Sequence, residues 1–436
     1  MSISTNLSII NFTPYEWTYV GKSKTAGAAG LTEWVFPKTL ASGHTFEAEI
    51  IVDGQADAVA VAAVQWPFTW DGGADPLDKY GIENNAKSSV ISIPLTDEAW
   101  SPFILVGKEK QLVGNNPPTD WMAKNLPYIG CLTLQDIVMP GSHDAGMSEI
   151  NNAHLGDAAD TQTQTLNITG QLYAGARWFD IRPSISHGQF YTNHYKDRLG
   201  ANGESIADII SDINRFTAKG YKELIILELS QTLNTDAGYE AFTDAQYSSL
   251  LSTFEKTLKH LYTGHSHSVI TKLPLSDFIS TGPAVVIVCD ERDTSWLKTN
   301  GFQGKGFYSS TQFPVYNSYA DTTELATMQK DQYTKLIAQT AKPDNSAQLF
   351  LLSWTHTMGT YEIFESAFGG PTLRESADYF NRFLAQAGGT VPYTGPITWV
   401  AEKSGLPNII MIDNIASDDF LTAMAIGLTR FYNTQC

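Results

Sequence analysis

SIADIISDINRFTAKGYKELIILELS, residues 205–230, places an amphipathic helix directly before a continuous apolar strand. Within Ser205–Phe216, isoleucines and a phenylalanine recur every three or four residues and line one helical face. Ser205 and Asp208 resemble a capping box, with Asp in place of the usual Glu. The run Leu224–Leu229 is apolar almost throughout, which is typical of a strand that is covered on both faces of a parallel sheet. This stretch therefore predicts an α/β fold.

The same alternation extends from the linker to the C-terminal region. Further strands are predicted at Thr133–Met139, Trp178–Ile181, Ala284–Val288, Leu349–Trp354 and Asn408–Ile412. Amphipathic helices are predicted at Tyr247–Leu261, Thr372–Ala385 and Asp418–Phe431. Six such units in roughly 300 residues favour an irregular TIM-like (βα) barrel over an open sheet. A possible further strand lies in Gly301–Tyr319, where the sequence does not fix its position.

Residues 1–118 have a different pattern. Short alternating or apolar runs at His44–Val52, Ala58–Trp66 and Ser88–Leu95 are separated by Gly, Pro, Asp and Asn. This pattern predicts an all-β, antiparallel sandwich. The sequence GNNPP at 114–118 is a natural linker. We therefore expect an accessory β-domain of unknown role at 1–118 and a catalytic barrel at 119–436.

Charge and composition limit the partners. The chain has 436 residues and a formal net charge of −18, which argues against a nucleic-acid partner and against loose adsorption to an anionic membrane. No apolar stretch is long enough to span a bilayer. The N-terminal residues MSISTNLSII lack a basic segment followed by an apolar one, so no targeting signal is expected in this chain. A soluble protein is expected, either cytoplasmic or secreted after removal of a signal.

The three cysteines give little functional information. Cys131, Cys289 and Cys436 are not paired at the spacing of a metal or redox site, so we expect them to be reduced or incidental. Cys289 lies in an apolar run and is predicted to be a core thiol.

Polar residues capable of chemistry follow the predicted barrel strands. Because the carboxyl ends of parallel barrel strands form one rim, these residues are expected to meet there. They are His143, Asp144, Asp180, Arg182, His194, Glu228, Asp290 and Asp413. A buried guanidinium needs a partner, which Asp144, Asp180 or a ligand phosphate would supply to Arg182. His187 is the less suitable second histidine, so His194 is preferred.

Four sequence blocks carry a family resemblance. They are LQDIVMPGSHDAG (134–146), QLYAGARWFDIRP (171–183), GQFYTNHY (188–195) and KELIILELS (222–230). In their order and approximate spacing they resemble the X domain of phosphatidylinositol-specific phospholipases C. The resemblance covers about residues 131–230; NIIMIDNI (408–415) is compatible with it, and the N-terminal region is not explained by it.

The resemblance also implies which branch of the family is closer. The metal-dependent eukaryotic type has Asn after the first histidine and a Glu-x-Asp calcium pair, whereas this chain has Asp144 and Asp180-Ile181-Arg182. An arginine in place of a calcium ligand substitutes a guanidinium for the cation. The chain is thus similar to the metal-independent bacterial and fungal type, and no cofactor is expected. Asp180 is the candidate ligand if calcium is used, so calcium stays an open alternative.

The resemblance implies a ribonuclease-like mechanism. His143 would accept the proton of the inositol 2-hydroxyl, Arg182 would stabilise the charge on a non-bridging oxygen, and His194 would protonate the departing diacylglycerol. Asp413 would orient His143, and Asp144 would support His194 or the leaving group. The expected products are inositol 1,2-cyclic phosphate and diacylglycerol, and the expected partner is an inositol phospholipid at a membrane surface.

Other assignments leave alternatives open. Asp290, Glu228 and His356 lie at strand ends and would bind inositol hydroxyls or be structural. An aromatic loop, with half of it expected in the core, would rest in the lipid interface; its residues are Phe302, Phe307, Tyr308, Phe313, Tyr316 and Tyr319. Inositol phosphosphingolipids, glycolipid (GPI) anchors and a catalytically silent lipid-binding barrel are the alternative readings. A glycerophosphodiesterase is disfavoured because the chain has no His-Arg dipeptide.

Overall fold

The structure of the protein is a computed structural model. It describes residues 2–19, 31–33, 37–53, 59–65, 69–74, 88–94, 100–106, 113–114, 117–154, 156–196, 198–265, 268–343, 347–359, 363, 366, 369–386, 389–415 and 420–433.

Eight parallel strands form a curled sheet in the C-terminal part of the chain. They are β11 (Met139–Ser142), β13 (Trp178–Ile181), β17 (Leu224–Leu229), β19 (Ala284–Cys289), β20 (Phe307–Ser309), β21 (Val315–Asn317), β22 (Leu349–Trp354) and β23 (Ile409–Ile412). They stand in chain order around the sheet, and β23 pairs with β11. Within the described residues no ladder joins β20 to β21, so the barrel is open at that point. The predicted α/β, TIM-like barrel is therefore confirmed.

Two details of the strand prediction are wrong or incomplete. The first strand was expected at Thr133–Met139, but Leu134–Asp136 forms a 3-10 turn and the strand begins only at Met139. The stretch 301–319 contains two short strands, β20 and β21, and not one. Both errors concern strands of three or four residues, which are too short to show a sequence period.

Helices cover the barrel, and a smaller sheet projects from it. The helices are α1 (Trp121–Ile129), α2 (Ala158–Thr161), α3 (Ile168–Ala174), α4 (Ile206–Thr217), α5 (Asp244–Thr257), α6 (Leu275–Ile279), α7 (Thr294–Thr299), α8 (Leu325–Thr340), α9 (Leu373–Asn381), α10 (Pro396–Ala401) and α11 (Leu421–Tyr432). The smaller sheet has the order β12-β16-β15-β14-β18 and consists of β12 (Asn152–His154), β14 (Pro183–Ser186), β15 (Gln189–Lys196), β16 (Leu199–Ser205) and β18 (Leu233–Asn234).

The helix that opened the sequence analysis forms as predicted. Ser205 caps α4 by accepting a hydrogen bond from the backbone N–H of Asp208 at 3.0 Å. The Asp208 carboxylate accepts from the Ser205 hydroxyl at 2.6 Å, so the shorter Asp side chain binds the cap side chain. The apolar face of α4, from Ile206 to Phe216, is buried, and this burial fixes the helix on the sheet.

The N-terminal region forms two five-stranded sheets, ordered β10-β9-β1-β5-β3 and β4-β2-β7-β6-β8. Their strands are β1 (Ser2–Phe12), β2 (Trp17–Tyr19), β3 (Leu31–Glu33), β4 (Thr39–Leu40), β5 (Thr45–Asp53), β6 (Val59–Gln65), β7 (Thr69–Ala74), β8 (Ser88–Pro94), β9 (Trp100–Val106) and β10 (Val113–Gly114). The expectation that these strands pair antiparallel throughout is wrong for two pairs. Strand β1 pairs with β9, and β2 pairs with β7, in parallel. The sandwich and the boundary at 118 stay predictions.

The first of these sheets packs against the barrel. Ile10, Phe12 and Ile104 are buried in the same apolar core as the barrel strands. The ring of Phe12 lies 5.3 Å from that of Phe431 on α11, centroid to centroid. The last helix of the barrel is therefore covered by the N-terminal region.

The cysteines differ from one another. Cys131 is disulfide-bonded, so the expectation of a reduced or incidental cysteine is wrong at this position. Cys289 is a free thiol in the core, as predicted, and burial raises its pKa to about 12. Cys436 lies outside the described residues.

Candidate active site

The ends of three neighbouring strands place the central residues of the site. His143 follows β11, Arg182 follows β13 and Asp413 follows β23. Since these strands are adjacent and parallel, their carboxyl ends lie at one rim. The backbone N–H of His143 still donates to the carbonyl of Ile412 at 3.0 Å, which sets His143 beside Asp413.

His143 is held from both ring nitrogens. Its Nδ1 lies 2.7 Å from Oδ1 of Asp413, and its Nε2 lies 2.9 Å from Nη2 of Arg182. In the neutral ring, Nδ1–H donates to Asp413 and Nε2 accepts from Arg182. This tautomer directs the basic nitrogen of His143 toward the guanidinium of Arg182, a group whose forked donors match carboxylate and phosphate oxygens.

Two carboxylates fix Arg182. Its Nε lies 2.7 Å from Oδ1 of Asp144, and its Nη2 lies 2.9 Å from Oδ2 of Asp180. Oδ1 of Asp180 also accepts from the Ser230 hydroxyl at 3.3 Å. Burial alone would raise the pKa of Asp180, but the charges of Arg182 and His143 outweigh it and hold that pKa below its usual range. The site therefore contains a preorganised cation between two anions.

The charge balance around His143 makes it a strong base. Burial by itself lowers the pKa of His143, and Arg182 acts in the same direction. Asp144 and Asp413 outweigh both effects and raise the pKa of His143 to about 9. The hydrogen bond from Arg182 needs the neutral ring, whereas the carboxylates favour the charged ring, so the two interactions oppose each other at Nε2.

His194 lies on β15 and faces the carboxylate of Asp144 from the side opposite His143. Its Nδ1 lies 2.9 Å from the backbone carbonyl oxygen of Thr161, and its Nε2 lies 3.8 Å from Oδ2 of Asp144. The same Oδ2 atom is 3.6 Å from Nε2 of His143. Asp144 thus lies between the two histidines, and Thr161 directs the free nitrogen of His194 toward it.

Hydrogen bonds attach the hairpin of His194 to the loop after β11. The Thr192 hydroxyl donates to the carbonyl of Gly146 at 2.9 Å, and the backbone N–H of Glu204 donates to the same oxygen at 2.7 Å. The space at Gly146 is closed by Thr192, since a Cβ there would lie 2.3 Å from the threonine methyl. A larger side chain at position 146 would therefore have to displace Thr192, which lies on the same strand as His194.

Three of the rim residues have ligand atoms close enough to hold a metal. Atoms of His143, Asp144 and Asp180 lie within 4.8 Å of one another. Arg182 already contacts both carboxylates, however, and a cation would have to displace the guanidinium. Calcium also prefers about six to eight oxygen ligands, more than these groups supply. The residues present fit a resident calcium ion poorly.

Two of the residues predicted to bind the inositol head group, Glu228 and Asp290, lie in β17 and directly after β19, respectively. Glu228 pairs in register with Asp180 on the next strand and is buried. Burial, Asp180 and Asp290 raise the pKa of Glu228 well above its usual range. Asp290 is exposed at the end of β19. Both lie on the rim next to the Arg182 cluster, which consists of Arg182, His143, Asp144, Asp180 and Asp413.

His356 belongs to a different cavity. This cavity has a volume of about 670 Å³ and lies between the end of β22 and α9, where Glu375, Tyr379 and Phe380 contribute to its wall. None of the residues around Arg182 lines it. The assignment of His356 to the inositol pocket stays a prediction.

The aromatic loop is mostly internal. Phe302, Phe307, Tyr308 and Phe313 are buried in the core, while Tyr319 is 59% exposed. The loop therefore offers less lipid-facing surface than was expected.

Two contacts of the site carry no sequence signal. They are the carbonyl of Thr161 and the side chain of Gln164, whose Nε2 donates to the carbonyl of His143 at 2.9 Å. Ser230, in contrast, follows directly on the predicted strand Leu224–Leu229. Backbone carbonyls are invisible to residue patterns. Gln164 lies in the polar segment DTQTQTLN, where nothing distinguishes it from its neighbours.

Comparison with known proteins finds relatives over part of the chain. No family model matches the chain. PI-PLC X domain-containing protein 3 of Bos taurus is 29% identical over 137 residues, which are 26% of this chain and 41% of that protein. The 1-phosphatidylinositol phosphodiesterase of Listeria monocytogenes is 28% identical over 152 residues, 32% of this chain and 43% of that protein. The matches thus span less than half of these relatives.

The fold gives an independent comparison. A structure of the phosphatidylinositol-specific phospholipase C of Staphylococcus aureus superposes with a TM-score of 0.50, covering 72% of this chain and 97% of that one at 14% identity. This chain is similar to PI-PLC X-domain proteins in both sequence and fold. At such identity the structural likeness concerns the PI-PLC fold alone.

No helix among the described residues is long and apolar enough to cross a membrane.

Proposed function

We propose that the chain is a phospholipase C that cleaves phosphatidylinositol-type lipids by attack of the inositol 2-hydroxyl on phosphorus. The products would be inositol 1,2-cyclic phosphate and diacylglycerol. The observation that carries the proposal is the contact of Arg182 with Nε2 of His143, next to a second histidine on the opposite side of Asp144. The curated relative from Listeria, named for phosphatidylinositol phosphodiesterase activity, supports the substrate class.

The first chemical step is proton transfer to His143. Neutral Nε2 accepts the proton of the 2-hydroxyl, and Asp413 stabilises the imidazolium that results, through the bond to Nδ1. The oxygen then attacks phosphorus. Arg182 exchanges its contact with His143 for a non-bridging phosphate oxygen, for which its forked donors are suited.

The second step releases the lipid. His194, protonated at Nε2, donates that proton to the departing diacylglycerol oxygen. The carbonyl of Thr161 accepts from Nδ1–H and so keeps Nε2 directed at the site. Oδ2 of Asp144 faces the same nitrogen of His194 from a distance of 3.8 Å.

We propose that this cleavage needs no metal. The support is the position of Arg182, which neutralises the carboxylates of Asp144 and Asp180 that a cation would need. A guanidinium at this place supplies the positive charge that calcium would otherwise supply.

Glu228 and Asp290 are proposed to bind hydroxyl groups of the inositol ring, because both lie beside the Arg182 cluster at the rim. For His356 this role has less support, since it lines the separate cavity. Inositol phosphosphingolipids and GPI anchors share the inositol phosphate and stay alternative substrates. A silent lipid-binding barrel is disfavoured by the complete pair of histidines.

The N-terminal region is proposed to be a β-sandwich accessory domain of residues 1–118, followed by a catalytic barrel at 119–436. The support is the pair of five-stranded sheets in the first segment. We expect a protein that acts at the membrane surface without spanning it. With a net charge of −18, apolar contacts would have to drive its docking.

A substrate panel tests the proposal. Vesicles containing phosphatidylinositol should yield cyclic inositol phosphate, and phosphatidylcholine should yield nothing. A 2-deoxyinositol analogue is the matched control, because it lacks the attacking oxygen and should be inert. Cleavage of the 2-deoxy lipid would contradict attack by the 2-hydroxyl. Faster cleavage of an inositol phosphosphingolipid would transfer the assignment to that substrate.

A further inference from the structure

Gln164 is a fully buried side chain in the segment between α2 and α3. Its Nε2 donates to the carbonyl of His143 at 2.9 Å and to that of Ile412 at 3.3 Å. Its Oε1 accepts from the backbone N–H of Ile415 at 3.1 Å. One amide therefore connects the ends of β11 and β23, the two strands that carry His143 and Asp413.

These strand ends need such partners for a local reason. The residues directly after His143 and Asp413 are Asp144 and Asn414, with φ of +40° and +47°. Both strands thus leave the extended conformation immediately after the catalytic residue, and their ladder pairing stops. Backbone groups left there must find other partners because burial without a hydrogen bond is costly.

The neighbours of Gln164 complete the attachment. The Thr163 hydroxyl donates to the carbonyl of Asp144 at 3.0 Å. The backbone N–H of Asn414 donates to the Thr163 carbonyl at 2.8 Å. The side-chain oxygen of Asn414 accepts from the N–H of Thr165 at 3.2 Å. Residues 163–165 therefore bind both strand ends from one side, with Gln164 in the middle.

We propose that Gln164 is a positioning residue that sets the distance between His143 and Asp413, and hence the 2.7 Å bond between them. This rests on the proposed function for its effect on catalysis. A longer bond would leave the imidazole free to rotate and would remove the carboxylate that stabilises its charged form.

The chain offers a matched control. Gln332 on α8 is also fully buried, and it connects two neighbouring strands. Its Nε2 donates to the carbonyl of Ser318, directly after β21, at 2.8 Å, and its Oε1 accepts from the N–H of Ser353, within β22, at 3.1 Å. No residue of the Arg182 cluster takes part in these bonds. A purely structural role of a buried glutamine should therefore appear equally in both.

The experiment compares Gln164→Met with Gln332→Met, since methionine keeps the volume and removes the hydrogen bonds. For Gln164→Met we expect kcat to fall about 10- to 100-fold with little change in KM, as for other supporting residues around a site. The acidic limb of the kcat/KM profile should move to lower pH. The downfield proton resonance of His143 Nδ1–H should move upfield or vanish, and Gln332→Met should keep it.

Equal losses in both variants with an unmoved acidic limb and an intact resonance would overturn the proposal. If Gln164→Met does not fold, Gln164→Glu decides, because it keeps the acceptor for Ile415 and lacks both donors. The resonance does not depend on turnover. Thus, if the wild-type protein releases no cyclic phosphate but the resonance still requires Gln164, the proposed function fails and the positioning role stands.

Discussion

Arg177 and Arg182 lie at the two ends of the same strand, β13, and their surroundings differ. Arg177 is fully buried: Nε lies 2.7 Å from Oε2 of Glu223, and the remaining nitrogens donate to the carbonyls of Leu172, Ala176 and Thr119. Each of the three nitrogens of this guanidinium is therefore hydrogen-bonded within the protein. The pair closes the lower end of the barrel, away from the catalytic rim.

Arg182 at the upper end contacts a histidine and two carboxylates, and its side chain is 15% exposed. Within the described residues, Oδ2 of Asp413 and Oδ2 of Asp144 are buried without a hydrogen bond. The rim thus holds charged groups in place without saturating them. The comparison indicates that Arg177 is enclosed by Glu223 and three backbone carbonyls, whereas Arg182 contacts only side chains of the rim and stays partly exposed toward a ligand.

Replacement of the histidines should have the largest effect on turnover. We expect His143→Ala and His194→Ala each to lose about 100- to 10,000-fold in kcat, the usual contribution of one acid or base. The measurement is cyclic inositol phosphate release, with thermal unfolding as the control for an intact fold. His187→Ala, at an exposed turn outside the cluster, should be nearly normal. Near-normal turnover in either catalytic variant would remove that histidine from the mechanism.

Arg177→Met should affect the lower end alone. It leaves Glu223 buried without its cation, and loss of one partner of a buried pair costs about 3–5 kcal/mol. Urea unfolding should show this loss, while kcat of the remaining folded protein stays within a few-fold. The double variant with Glu223→Leu should recover part of the stability. A large loss of kcat at full stability would contradict the division between the two ends.

Arg182→Lys should lower turnover more than stability, the reverse of the result expected for Arg177→Met. Lysine keeps the charge, but it cannot contact Asp144, Asp180 and His143 together. We expect kcat to fall about 100- to 1000-fold, as when a transition-state donor is removed, with a smaller change in unfolding free energy than for Arg177→Met. Arg215→Lys on the exposed face of α4 serves as the control. Unchanged kcat in Arg182→Lys would make the arginine structural.

Asp413→Asn should change the pH dependence. His143 must be neutral to act as a base, so kcat/KM of the free protein should rise with pH toward the pKa of about 9. Asp413 raises this pKa, and its removal should move the acidic limb about one to three pH units lower. The profile of kcat/KM against pH measures this directly. A limb that stays in place, or moves to higher pH, would contradict the charge balance described for His143.

The sequence sufficed for the parts of the molecule where pattern and physics agree. Leu224–Leu229 and α4 could be predicted because long apolar runs and a regular helical period are unambiguous. The short strands β20 and β21 have three residues each, which show no period, and their place follows from pairing with β19 and β22. Cys131 shows the same limit, since the pairing of a cysteine depends on the fold and this one left no signal in its spacing.

For the site, residues at strand ends could be predicted, but their mutual contacts could not. His143, Arg182 and Asp413 each follow a recognisable strand, so the rim could be assembled in advance. The cavity that His356 lines could not, because its walls depend on the packing of α9 beside the end of β22. The role of Gln164 depends on where residues 163–165 cross the strand ends, which only the tertiary structure provides.

The most direct test of the central claim is phosphorus NMR of phosphatidylinositol vesicles during cleavage, with and without a calcium chelator. The cluster of His143, His194 and Arg182 predicts that inositol 1,2-cyclic phosphate appears as the first product, at the same initial rate in both samples. Absence of the cyclic product, or its appearance only when calcium is present, would contradict a metal-independent attack by the 2-hydroxyl.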